Sequence, residues 1–113
     1  MKHRNDNLLV MAAVGDAYAA AFEYVKDREF VRRNHTLEFY SEHPRHHPSK
    51  ARYTDDTQMS IANAEVLIEQ SCARMTLLHF ADKYVEVFRR DQRQGYAQGF
   101  YDFLCGVKNG TEF

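Results

Sequence analysis

Apolar residues recur at three- and four-residue spacing along four stretches of this chain, and no stretch alternates convincingly between apolar and polar. That periodicity dictates helices and leaves no strand to build a sheet, so the fold class is all-α. The first stretch, residues 6–26, carries Leu8, Leu9, Ala12, Ala13, Ala17, Ala20, Ala21 and Tyr24, with Asp6 or Asn7 placed to cap it. Its stripe is mostly alanine, which lets a neighbouring helix approach closely, so burial on more than one side is expected. Gly15 costs about 1 kcal/mol against alanine in a regular helix, which suggests tight packing or a break.

The second stretch, residues 54–71, has Thr54 as N-cap and an apolar face of Met59, Ile61, Ala62, Val66, Leu67 and Ile68. The third, residues 76–90, follows Thr76 and carries Leu77, Leu78, Ala81, Tyr84, Val85 and Phe88. The fourth, residues 96–107, starts after Gly95 and carries Tyr96, Phe100, Phe103, Leu104 and Val107, with Asn109-Gly110 as a stop or turn signal. Between the first and second, residues 27–52 show no long period. A short helix is expected near residues 27–34, then a loop over about 35–52 in which Pro44 and Pro48 are interspersed with His43, His46 and His47. A loop this long tends to be functional or mobile. Its histidines have no standard zinc spacing and read as solvated; contact with a phosphate or an acidic partner is the alternative.

With 113 residues there is room for one domain. Fifteen basic and sixteen acidic side chains leave a net charge of −1, which gives no electrostatic footprint for nucleic acid. Cys72 and Cys105 form no C-x-x-C pair and read as buried reduced thiols in a cytoplasmic protein. Lys2, Arg4 and the apolar run Leu8 to Val14 imitate a secretion signal, but the run is short and Asp6 and Asp16 interrupt it. No run approaches the roughly 20 apolar residues of a membrane span.

The chemistry concentrates in Tyr53-Thr54-Asp55-Asp56-Thr57-Gln58-Met59-Ser60. Two carboxylates in a first helical turn are accounted for, in part, by the helix dipole and the free N–H groups there. A hydroxyl and two carboxylates are also oxygen donors of the kind a hard divalent cation takes. Three donors make at most half of an octahedral shell of about six oxygens. Arg89, Arg90 and Arg93 suit a helix C-terminus, with pyrophosphate contact as the alternative.

The whole octet, with Gly15-Asp16-Ala17 and Glu23 upstream and Gly95-Tyr96 downstream, resembles the ADP-ribosylglycohydrolase family over roughly residues 8–107. The resemblance implies a mostly orthogonal all-α fold around a two-magnesium centre, manganese in some members. It implies hydrolysis of the glycosidic bond between ADP-ribose and a protein side chain or a related small conjugate. Carried over, Thr54, Asp55 and Asp56 are metal ligands, with Asp55 and Asp56 central to catalysis. Glu23 is the acid that ligates a metal or assists catalysis, and Gly95 and Tyr96 form part of the wall meeting ADP-ribose. The chemistry is consistent: a carboxylate beside metal-held water can deprotonate it for attack on an oxocarbenium-like carbon.

The sequence departs from the family pattern where Ala19 and Ala97 replace usual glycines, and it has no Asp-x-Asp motif and no Gly-rich Met-Arg loop. The expectation is therefore a single partial domain over residues 1–113, the N-terminal portion of a larger helical domain. Such a chain would be inactive alone and prone to self-association through exposed apolar faces. The competing reading is a catalytically inactive helical fragment or partner-binding module.

Overall fold

The computed structural model describes residues 7–46 and 50–113, and every regular element among them is helical. The helices are α1 (Leu8–Ala19), α2 (Arg28–Asn34), α3 (Asp55–Glu69), α4 (Leu77–Arg90) and α5 (Gln98–Gly106), with short 3₁₀ helices at Cys72–Arg74 and Gly110–Glu112. The all-α expectation is met. Lys2, Arg4, Asp6, His47, Pro48 and the Cys72 side chain lie outside the described residues, so the expectations placed on them stay with the sequence. The chain divides into two compact units, Met1–Thr54 and Asp55–Phe113.

In the first unit α1 ends at Ala19 instead of running to residue 26. Beyond it the bonds tighten to three-residue steps, Phe22 N–H to the Ala19 carbonyl at 2.8 Å and Val25 N–H to the Phe22 carbonyl at 3.1 Å. Tyr24 then takes a left-handed φ of 56°, which closes off any helix. The expected burial on more than one side does not occur. Leu8, Val10 and Met11 are 70%, 60% and 63% exposed, and within α1 only Ala17 is buried. Leu8 to Val14 is an unbroken apolar run, so its residues surround the helix and no single packed face can take them all. Gly15 marks neither a break nor tight packing: the helix continues through it, and a Cβ there would meet nothing within 4 Å.

The short helix expected near residues 27–34 is present as α2. The Asp27 carboxylate caps it, accepting from Glu29 N–H at 3.0 Å and Phe30 N–H at 3.2 Å. Phe22 packs among Tyr18, Phe30 and His35, with ring centroids 5.3–6.0 Å away, and so ties the end of α1 to α2. His43 corrects the reading of a solvated histidine loop. It is buried, and its Nε2 lies 2.9 Å from the Glu23 carbonyl. Its Nδ1 accepts from Arg45 N–H at 3.0 Å and His46 N–H at 2.9 Å. That pattern fixes the neutral tautomer with the proton on Nε2.

In the second unit α3 packs on α4, and a core of Val85, Phe88, Leu104 and Val107 gathers α4 and α5, with Tyr96 against it. The apolar face read for α3 is only partly used. Ala62 and Val66 are buried, but Leu67 is 58% and Ile68 82% exposed, and the polar Thr57 and Gln58 are buried instead. Cys105 is likewise exposed, contrary to the buried thiol expected.

The α3–α4 seam is also charged. Lys83, nearly buried, reaches Glu86 at 2.9 Å, Glu69 at 3.0 Å and Glu65 at 3.6 Å, and Arg90 reaches Glu65 at 2.6 Å. The Arg90 hydrogen bond is the main cause holding the Glu65 carboxyl below its ordinary 4.5. Glu86 and then Glu69 hold the Lys83 ammonium above its ordinary 10.5. A depressed carboxylate contributes stability above its unfolded value that drains as pH falls below it; a raised ammonium contributes below its unfolded value and loses that as pH rises past it. Urea midpoints are therefore expected to form a plateau between about pH 4.5 and 10.5 and to decline on both sides. With Lys83→Met the alkaline decline should shrink.

Asn109-Gly110, read as a turn signal, has a sharper role. Gly110 N–H donates to Asp82 Oδ1, and a Cβ at Gly110 would lie 2.7 Å from that oxygen, 2.9 Å from the Ala81 carbonyl carbon and closer still to Asp82 N. Backbone cannot swing aside as a flexible side chain can. Gly110→Ala is expected to cost about 1–3 kcal/mol, read as a lowered denaturation midpoint.

Candidate active site

The octet straddles the start of α3. Thr54 stands immediately before the helix and is buried, while Asp55 and Asp56 form the first turn, Asp55 half-buried and Asp56 exposed. Thr54 is held from α1: its N–H donates to Asp16 Oδ2 at 2.8 Å and its hydroxyl to Asp16 Oδ1 at 2.6 Å. Gly15-Asp16-Ala17, noticed in the sequence only as a flanking match, thus supplies the carboxylate that grips Thr54. Glu23, in the same unit, has an exposed side chain, and its backbone carbonyl is latched by His43.

In the second unit the structure brings Asp55 to the Gly95–Tyr96 segment. Asp55 N–H donates to the Gln94 carbonyl at 3.0 Å, so the residue before Gly95 satisfies an otherwise free donor at the helix start. Gly95 adopts φ 103°, a conformation that suits glycine, and turns the chain so that Tyr96 points inward. Tyr96 stacks edge-on against Phe88 at 5.3 Å and donates its hydroxyl to Gln58 Oε1 at 2.7 Å. Burial first, and then the charge of Asp55, push the Tyr96 phenol well above its ordinary value. The hydroxyl is therefore engaged in the core, and what Tyr96 can offer a ligand is its ring.

Gln58 lies inside the octet, where neither the helical period nor the family resemblance marks it. It is 1% exposed, and its Nε2 donates to the Val87 carbonyl at 3.1 Å and to the Asp91 carbonyl. The signal was available: a glutamine on the otherwise apolar side of a helix needs partners when buried. Beside it a cavity of about 770 Å³ is lined by Phe88, Arg89, Arg93, Gly95, Tyr96 and Tyr101, among others. Arg93 pairs with Asp91 at 2.5 Å, and Arg89 donates to the Val107 carbonyl at the end of α5.

The donor set is of the right kind for a hard divalent cation: two carboxylates, and a hydroxyl whose proton already points at Asp16. Among the described residues, no three of His, Cys, Asp and Glu gather into a metal-holding group.

The family model described as ADP-ribosylglycohydrolase matches residues 4–111, and the chain belongs to that family. The family is metal-dependent and acts on ADP-ribosylated substrates. No curated protein and no solved structure gives a significant match. Among the described residues, no helix is long and apolar enough to cross a membrane.

Proposed function

We propose that the chain contributes the Thr54-Asp55-Asp56 half of a magnesium- or manganese-dependent ADP-ribosyl hydrolase centre. The reaction is cleavage of the glycosidic bond between ADP-ribose and a protein side chain or a related conjugate, in a cytoplasmic setting. The observation that carries this reading is the pairing of the Asp55–Asp56 turn with the Gly95–Tyr96 segment through the Asp55–Gln94 hydrogen bond. It puts two of the motifs that carry the family resemblance on one small framework.

Thr54, Asp55 and Asp56 would hold the cation. When bound, it supplies positive charge that orients ribose hydroxyls and acidifies water. Asp55 and Asp56 contribute the charge that offsets the positive end of the α3 dipole. Gly95 and the Tyr96 ring form a wall against the ADP-ribose, and Glu23 is the acid that ligates a metal or assists catalysis. The sequence holds no Asp-x-Asp motif to complete the ligand shell, so the 113-residue chain is proposed to bind metal weakly and to turn nothing over by itself. The test is ADP-ribose release from ADP-ribosylated protein by the chain alone and by the chain joined to a segment that supplies an Asp-x-Asp-Thr motif. Release by the joined form that persists in EDTA would refute the metal assignment.

One observation favours the second reading, a non-catalytic module that associates through apolar surface. Leu77 is 88% and Leu78 43% exposed, at the rim of a cavity of about 760 Å³ lined by Phe80, Ala81, Tyr84 and Phe113. Under this reading sedimentation shows concentration-dependent association, and Leu77→Glu reduces it.

A further inference from the structure

Thr54 has two polar hydrogens, and a single carboxylate takes both. The amide points at Asp16 Oδ2 and the hydroxyl at Asp16 Oδ1, across 38 residues of sequence. The geometry points to Asp16 as a positioning residue for metal binding: by taking the hydroxyl proton, it leaves Thr54 Oγ1 with lone pairs alone to present. This rests on the proposed metal role of Thr54.

A threonine hydroxyl has one proton and two lone pairs, and a free one rotates to suit its surroundings. A cation repels the proton and attracts the lone pairs, so a hydroxyl whose proton is already directed elsewhere needs no reorganisation to bind. The bond that directs it is charge-assisted, and its 2.6 Å length falls in the short range of such O–H···O⁻ contacts. The second bond matters as much. With the amide and Oγ1 of one residue fixed to one carboxylate, rotation about χ1 is restrained, so the direction of the lone pairs is set as well as their availability. Thr54 is only 7% exposed, which limits competition from water for the same proton. Asp16 lies in the regular part of α1, so the grip is mounted on a helix and not on a loop. Outer partners of metal ligands work in this way, fixing orientation and raising ligand basicity.

The experiment is a titration of the full 113-residue chain with Mn²⁺, followed by the free-ion electron paramagnetic resonance signal. Asp16→Glu keeps the charge but displaces the carboxylate by one methylene; Asp16→Asn removes the charge. Both are expected to weaken Mn²⁺ binding about tenfold or more. In a Thr54→Val background, where no hydroxyl remains to be oriented, Asp16→Asn is expected to add no further loss. Parental affinity in Asp16→Glu overturns the inference. So does an equal loss from Asp16→Asn in the Thr54→Val background, because damage to the fold or simple loss of charge would act there too. Asp55→Ala separates this inference from the reading it rests on: if Mn²⁺ affinity is unchanged in Asp55→Ala, the metal reading falls and takes the inference with it, whereas a loss there with an indifferent Asp16→Glu removes the inference alone.

Discussion

Replacing Gln58 with leucine is expected to lower the stability of the chain by about 2–4 kcal/mol, although leucine fills much the same space. The loss comes from what is left behind. Gln58 is 1% exposed and serves three partners, the Val87 and Asp91 carbonyls and the Tyr96 hydroxyl. Each buried polar group stranded without a partner costs about 1–3 kcal/mol, less whatever relaxation or water can recover. Gln58→Glu is expected to be as harmful, because a carboxylate oxygen would then face two carbonyl oxygens. Tyr96→Phe strands only one acceptor and should cost nearer 1 kcal/mol. Guanidinium unfolding of the three variants checks the order. A Gln58→Leu chain as stable as the parent would mean that the hub is not formed.

Leu104→Ala is expected to cost about 2–5 kcal/mol, the range for truncating a fully buried leucine. Leu104 is 0% exposed and lies in the cluster with Val85, Phe88 and Val107, where a helix of nine residues meets the rest of its unit. The size of the loss depends on whether α5 can collapse into the space. Phe100 on the same helix is larger but 37% exposed, and Phe100→Ala should cost clearly less. The reverse order in denaturant midpoints would place the core on the other face of α5.

The helices were legible in the sequence because period and punctuation agree. Asp27, Thr76 and the Asn109-Gly110 pair fall at or next to element boundaries, as their cap and turn chemistry requires. What the pattern could not give was the use made of each face. The apolar run in α1 points every way at once, and Ile68 satisfies the α3 period yet remains 82% exposed. Burial depends on what packs opposite, and that is a long-range property.

The site was legible as residue types at a spacing, and its supports were not. Thr54, Asp55 and Asp56 stand out as oxygen donors, but the partners that fix them come from 38 residues upstream for Thr54 and from the Gln94 carbonyl for Asp55. A backbone carbonyl leaves no mark in a sequence at all. His43 misled for the related reason that a histidine beside a proline in a polar loop looks solvated until its three hydrogen-bond partners are seen.

The central claim is that the first turn of α3 binds a hard divalent cation, and Mn²⁺ titration of the parent against Asp55→Asn and Asp56→Asn tests it most directly. Neutralising either carboxylate keeps its size and removes a ligand charge. The account predicts weak but measurable binding by the parent, displaced by Mg²⁺, and a marked loss in each variant with circular dichroism unchanged. Parental Mn²⁺ affinity in both variants would contradict it and leave Asp55 and Asp56 as residues that serve only the helix dipole.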